Sequence, residues 1–222
     1  MEEIKRSFGS FKNISEVCEV FGYEFEDDFF LKTKSFKEDD YFRTHLLKEF
    51  KNGRNFLNEY AICESIIRPI IAEVANENNL PFWSHENIEA KVDNIQLSGE
   101  PDYVFALPKI KNGTNMKTPI VCLGEAKKDK FIEGWGQVGS AMIAAQELNK
   151  NKKTPIFGLV TNGKGWEFGK LENKLFTIES GLTAPKHLDE IFDTLNWMFC
   201  EARKNADKIA ETAKKEIEKN KN

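Results

Sequence analysis

Long apolar runs are missing from this sequence. None approaches the roughly 18 residues that a membrane-spanning helix needs. The N-terminal MEEIKRSFGSF also lacks the apolar stretch of a secretion signal. Together these predict a cytoplasmic protein with no membrane partner. Cysteine is scarce and dispersed: Cys18, Cys63, Cys122 and Cys200, with no C-x-x-C spacing. That argues against a cysteine-built zinc site. Lone cysteines in apolar runs read as small buried hydrophobes of a reducing cytoplasm. The histidines His45, His85 and His187 are isolated and are assigned no role. Positive charge is not in excess, since 32 Lys and Arg stand against 36 Asp and Glu. A protein that coats nucleic acid through bulk charge is usually basic. An acidic balance is compatible with an enzyme whose site is itself made of carboxylates. There is no phosphate-cradling glycine loop for a helicase motor and no zinc-finger or helix-turn-helix spacing. No internal repeat or low-complexity linker is evident.

What is present suits one compact domain: 222 residues, 40% of them hydrophobic. We divide it into a helical preface (1–54) packed on the main domain, an α/β core (55–182) and a C-terminal helix (183–222). In the preface, Ile14 to Phe21 has helical spacing, with Ser15 as its N-cap. Residues 24–38 read as an irregular link or a strand. Asp39 or Asp40 caps a second helix through Phe50, which Asn52-Gly53 ends.

Asn55 to Asn78 reads as an apolar helix with Ile62, Cys63, Ile66, Ile70 and Val74 on one side. Pro69 predicts a kink or a split. Glu64 is spaced to pair with Arg68. Glu59 falls in the middle of the apolar side, and two readings of it are open. It is a first-turn glutamate that favours the helix dipole from solvent, or it points into a site.

From Asn79 to Leu107 the period is two, with Ile88, Ala90 and Val92 alternating with Glu89 and Lys91, which predicts an antiparallel meander with a turn at Asp93-Asn94. Residues 107–118 form a polar loop that includes Lys109 and Lys111. Ile120 to Gly124 is a nearly continuous apolar run and fits a central strand buried on both faces. A helix follows over Phe131 to Leu148, then a strand over Ile156 to Val160. Trp166, Phe168 and Leu171 alternate after a glycine turn. A short strand covers Leu175 to Ile178 before Gly181 to Pro185 breaks the pattern. A long helix runs from His187 to about Lys219. Trp135 and Trp166 read as packing residues. Lys128, Lys130, Lys150, Lys152 and Lys153 read first as solvated surface lysines.

The chemistry concentrates between Leu97 and Lys127. Asp102 opens one strand, and Glu125 closes another 23 positions later. Two carboxylates meeting at a sheet edge suit a hard divalent cation such as Mg²⁺, which needs few protein ligands and keeps several waters. Lys127, two positions beyond Glu125, lies on the same strand face. There it can hold an attacking water or a phosphoryl oxygen and stabilise transition-state charge. Taken alone, Asp with Glu-x-Lys is a weak signal. The apolar run directly before Glu125 strengthens it, because a solvated charged face is not expected there.

Pro101-Asp102, Glu125-Ala126-Lys127 and the later Gln137 resemble the PD-(D/E)xK nuclease superfamily. Asn58-Glu59 to Ile67-Arg68-Pro69-Ile70, Gly134-Trp135-Gly136-Gln137 to Gln146, Phe157 to Gly163 and Trp166-Glu167-Phe168 are similar to its restriction-type members. These include the nuclease domain of type I restriction subunits. The resemblance spans about Asn58 to Ile178. It implies a restriction-endonuclease-like α/β (α+β) core, a central mixed sheet flanked by helices. It implies Mg²⁺-dependent hydrolysis of DNA phosphodiester bonds, with Mn²⁺ as a substitute, in restriction, defence or DNA processing. It implies Asp102, Glu125 and the Ala126 carbonyl as metal ligands and Lys127 as the catalytic lysine. It also implies Glu59, ten positions before the proline, as an assistant to the metal or its waters. It implies Gln137 as the residue that orients the site or the nucleic-acid backbone. Two other readings stand beside it. One is a non-catalytic nucleic-acid-binding or regulatory subunit acting with a partner protein. The other is an α/β domain whose motif match is chance. Cutting both strands of a duplex calls for two copies of such a site, so a homodimer is an expectation of the nuclease reading.

Overall fold

The apolar run before Glu125 becomes the middle of the architecture. In the computed structural model, which describes residues 4–108, 113–184 and 186–219, it lies in a strand that we call β7, Met116–Ala126. Lys109 and Lys111 lie outside the described residues. The strands before β7 are β1 Ile4–Ser7, β2 Glu24–Asp27, β3 Phe82–Trp83, β4 Ile88–Val92, β5 Ile95–Gly99 and β6 Tyr103–Pro108. After it come β8 Ile156–Thr161, β9 Gly165–Glu172 and β10 Leu175–Thr183. Seven of them form a mixed sheet in the order β2-β10-β9-β8-β7-β6-β3. β7 runs parallel to β8 and antiparallel to β6. The helices are α1 Ile14–Phe21, α2 Asp40–Lys51, α3 Glu59–Ile62, α4 Arg68–Glu77, α5 Phe131–Asn149 and α6 Leu188–Lys219. The fold is therefore α/β, a large mixed sheet flanked by helices with a long helix at its C-terminal end. Among the described residues no helix is long and apolar enough to cross a membrane.

α5 connects the parallel pair β7 and β8, as a parallel pair requires. Its residues from Gly134 to Gln146 are buried all round except Gln137. A helix so enclosed must be covered on both sides. The main sheet covers one side. The other is covered by α1 and a second, three-stranded sheet in the order β1-β5-β4. The opposite face of the main sheet carries α2, α3, α4 and α6 over Tyr103, Phe105, Val121, Leu159, Trp166 and Phe168.

Several expectations are corrected. The region from 88 to 107 is not one meander: β4 and β5 pair as a hairpin, but β6 belongs to the other sheet. The burial pattern explains the switch. β4 alternates between buried and exposed, whereas Tyr103 to Ala106 are all buried, as befits a strand covered on both faces. The preface is not purely helical, because β1 joins β5 and β2 joins β10, both in parallel. The N-cap of α1 is Asn13, whose side chain accepts the Glu16 N–H at 2.8 Å. Ser15 is already within the helix. The expected helix over 55–78 starts at Glu59, capped by the Asn58 side chain, and widens into a π turn over Cys63–Ile67. That turn lies directly before Pro69, which has no N–H to donate one turn back. Arg68, spaced to reach Glu64, lies over the Phe82 ring at 5.9 Å. β10 passes through Gly181 by a bulge between Glu179 and Leu182. A Cβ at Gly181 would collide with the Trp166 carbonyl, so the residue read as a breaker is the one that permits the strand to continue.

Candidate active site

Register brings the carboxylates together. β6 and β7 pair with Tyr103 opposite Gly124 and Val104 opposite Leu123. Extending that ladder by one step sets Asp102 opposite Glu125. With a two-residue period, Asp102, Glu125 and Lys127 all project from the face that bears α5. The Asp102 Oδ2 accepts the Ala126 backbone N–H at 2.7 Å. Lys127 Nζ lies 2.9 Å from Glu125 Oε1, with the two side chains only 16% and 7% exposed. The Lys127 N–H donates to the Thr161 carbonyl of β8 at 2.9 Å, which ties the end of the motif to the parallel strand.

Electrostatics follow from this burial. Desolvation, and then the charge of Asp102, push Glu125 up to about 7 despite the neighbouring ammonium. Asp102 is also raised, chiefly by burial, although the Ala126 N–H, His85 and Lys127 act against the shift. Burial alone would lower Lys127. The Glu125 carboxylate outweighs it, and Lys127 is held above the ordinary lysine value. Two carboxylates and one ammonium in a dry site carry more negative charge than they neutralise. Such a cluster is relieved by proton uptake or by a cation.

Glu59 approaches from the opposite face of the sheet. Its Oε1 accepts the Lys128 backbone N–H at 3.1 Å, while Lys128 Nζ donates to the Leu57 carbonyl at 3.3 Å. The side chain is an exposed first-turn acid of α3. Its charge also acts on Asp102 and Lys127. The first-turn reading describes its position, and its carboxylate reaches the main chain next to Lys127. Gln137 is half-buried on α5. It shares a pocket of about 60 Å³ with Glu125, Pro101, Gly99 and the Ser7–Gly9 segment. That space accommodates a few waters.

Three neighbours were not foreseen. The Ser7–Gly9 segment walls the Gln137 pocket, brought there by the pairing of β1 with β5, which no local pattern announces. Thr161, the last residue of β8, accepts the Gly163 N–H with its hydroxyl and receives the Lys127 N–H at its carbonyl. Its place beside the motif depends on the β7–β8 pairing. His85 has Nδ1 3.5 Å from Asp102 Oδ1, and a lone histidine in a polar loop carries no sequence signal. The tryptophans pack as read. Trp135 Nε1 donates to Glu167 at 2.7 Å, and the buried Trp166 donates to the Gly163 carbonyl at 3.2 Å.

Among the described residues no group of three or more His, Cys, Asp or Glu converges at metal-binding spacing. The donor set is instead two opposed carboxylates beside the Ala126 main chain. This fits a hard cation that retains most of its waters, and does not fit zinc or an all-protein calcium cage. No protein-family model matches the chain, and no curated protein matches it.

Proposed function

We propose that this protein is a Mg²⁺-dependent nuclease of the PD-(D/E)xK type that hydrolyses DNA phosphodiester bonds. The observation that carries the reading is the β6–β7 register, which sets Asp102 opposite Glu125 with Lys127 on the same face. A divalent cation, when bound, supplies polarisation of the phosphodiester and acidification of a water. Asp102, Glu125 and the Ala126 carbonyl are the groups that would hold it. Lys127, kept protonated by its carboxylate neighbours, stabilises the negative charge that builds on the phosphoryl oxygens. Gln137 orients a water or a backbone oxygen from the pocket beside Glu125. Glu59 holds the Lys128 main chain in place and adds negative charge at the rim. The free cysteines Cys18, Cys63, Cys122 and Cys200 support a reducing, cytoplasmic setting.

The test is incubation of the protein with supercoiled, linear and single-stranded DNA, each with Mg²⁺, Mn²⁺ or a chelator. Cation-dependent cleavage is expected, reduced by about 10²–10³ or more in Lys127→Ala. Cleavage unaffected by that substitution, or none on any substrate, rejects the reading.

A further inference from the structure

Asp102 is gripped from a second direction by a residue outside the motif. β3 pairs with β6 so that Phe82 faces Phe105 and Trp83 faces Val104. The chain beyond β3 therefore runs alongside Asp102, and the His85 N–H donates to the Asp102 carbonyl at 3.3 Å. At this point the backbone takes a left-handed conformation, φ 54°. That conformation is disfavoured for a side-chain-bearing residue, though histidine is among those enriched there. The turn lays the imidazole against the carboxylate, Nδ1 to Oδ1 3.5 Å. Oδ2 is engaged by the Ala126 N–H, so the imidazole stands at ion-pair distance from the other oxygen. A locally costly backbone conformation that serves to aim one side chain at a functional carboxylate is a pointer to a role.

We propose that His85 is a positioning residue, holding the Asp102 carboxylate in the orientation in which it receives a divalent cation. The inference rests on the proposed metal site. Groups that orient a ligating carboxylate typically matter by about 10–100-fold in metal affinity or activity.

Mn²⁺ binding to the metal-free protein, followed by electron paramagnetic resonance of the free ion, tests this without DNA or turnover. His85→Gly removes the side chain and relaxes the backbone. It is expected to bind Mn²⁺ about tenfold more weakly than the parent. His85→Asn tolerates the left-handed turn and presents an amide N–H near the place of Nδ1, so it is expected to bind within about threefold of the parent. His85→Ser, too short to reach Oδ1, should follow His85→Gly and replaces it if the glycine variant does not fold. Asp102→Asn sets the baseline. If it binds Mn²⁺ as the parent does, the metal site itself is rejected and this role falls with it. If Asp102→Asn abolishes binding while the truncations leave it unchanged, only the role of His85 is overturned. It is equally overturned if His85→Asn binds as weakly as the truncations, because an amide donor then fails to restore the orientation.

Discussion

Asp102 accepts the backbone N–H of Ala126, the residue between Glu125 and Lys127, at 2.7 Å. The carboxylate is thus a structural clamp across the β6–β7 end as well as a candidate ligand. Asp102→Asn keeps an oxygen for that N–H, whereas Asp102→Ala leaves the donor of a buried residue without it. Asp102→Ala should be less stable than Asp102→Asn by about 1–3 kcal/mol in denaturant titrations with chelator. Both should lose cation-dependent cleavage.

Glu125 sets a pH dependence on the metal-free protein. Its pKa rises to about 7 from an ordinary 4.5. Between those values the unfolded chain has released a proton that the folded chain retains. Stability therefore falls as pH rises from about 4.5 to about 7 and levels off above, by on the order of 1–3 kcal/mol. Asp102, also raised, acts in the same direction above its ordinary 3.8. Lys127, raised, contributes stability that is fully present below its ordinary 10.5 and is constant across this window. Urea unfolding at several pH values in chelator measures the slope, and Glu125→Gln should flatten it.

Lys127→Met removes the cation that opposes the rise in Glu125. The falling limb of stability should then extend to higher pH than in the parent. A double-mutant cycle with Glu125→Gln should give a coupling of about 1–3 kcal/mol at pH 8, since the pair is in contact and largely buried. A coupling near zero would show that the two side chains do not meet in solution.

Gly136 lies where α5 meets the turn before α1, and a Cβ there would stand 2.5 Å from the Phe11 carbonyl oxygen. The obstacle is main chain and cannot rotate away. Gly136→Ala should destabilise by about 1–3 kcal/mol. Because Gln137 is the next residue, cleavage should fall further than the loss of folded protein explains.

Cys63, in the π turn, has its thiol raised to about 11 by burial and then by the charge of Asp102, with Glu59 and Glu125 adding. Little thiolate exists at neutral pH. Alkylation by iodoacetamide at pH 8 should be about a hundredfold slower at Cys63 in the folded protein than in the unfolded chain. Peptide mapping by mass spectrometry reads this directly.

The central part of the fold was legible because its signals are local. A short apolar run with β-branched residues fits a strand covered on both faces, and β7 is that strand. The segment after it has helical spacing with small residues that permit close contact, and α5 is enclosed on both sides. Asp102 and Glu125 are readable as candidates for a pair because one opens a strand and the other closes one; that the two strands are antiparallel neighbours comes from the structure. The remainder depends on contacts between distant segments. Nothing in Ile4–Ser7 indicates that it pairs with β5. The alternation from Ile88 to Leu107 does not show that the chain changes sheets at Gly99-Glu100-Pro101. Ser15 looked like a cap because it precedes apolar residues, yet the extended φ of −165° is at Asn13. His85 reaches Asp102 through a single left-handed residue, which composition does not encode.

The parallel pairing of β1 with β5 has a consequence for the order of events during folding. Ser7–Gly9 walls the pocket that holds Gln137, yet its strand has no partner until Ile95–Gly99 has been made. β1 thus depends on a partner about 90 residues further along the chain. Closure of so long a loop is slow relative to local helix and hairpin formation. The pocket beside Glu125 is thus expected to acquire this wall late, from a segment distant in sequence.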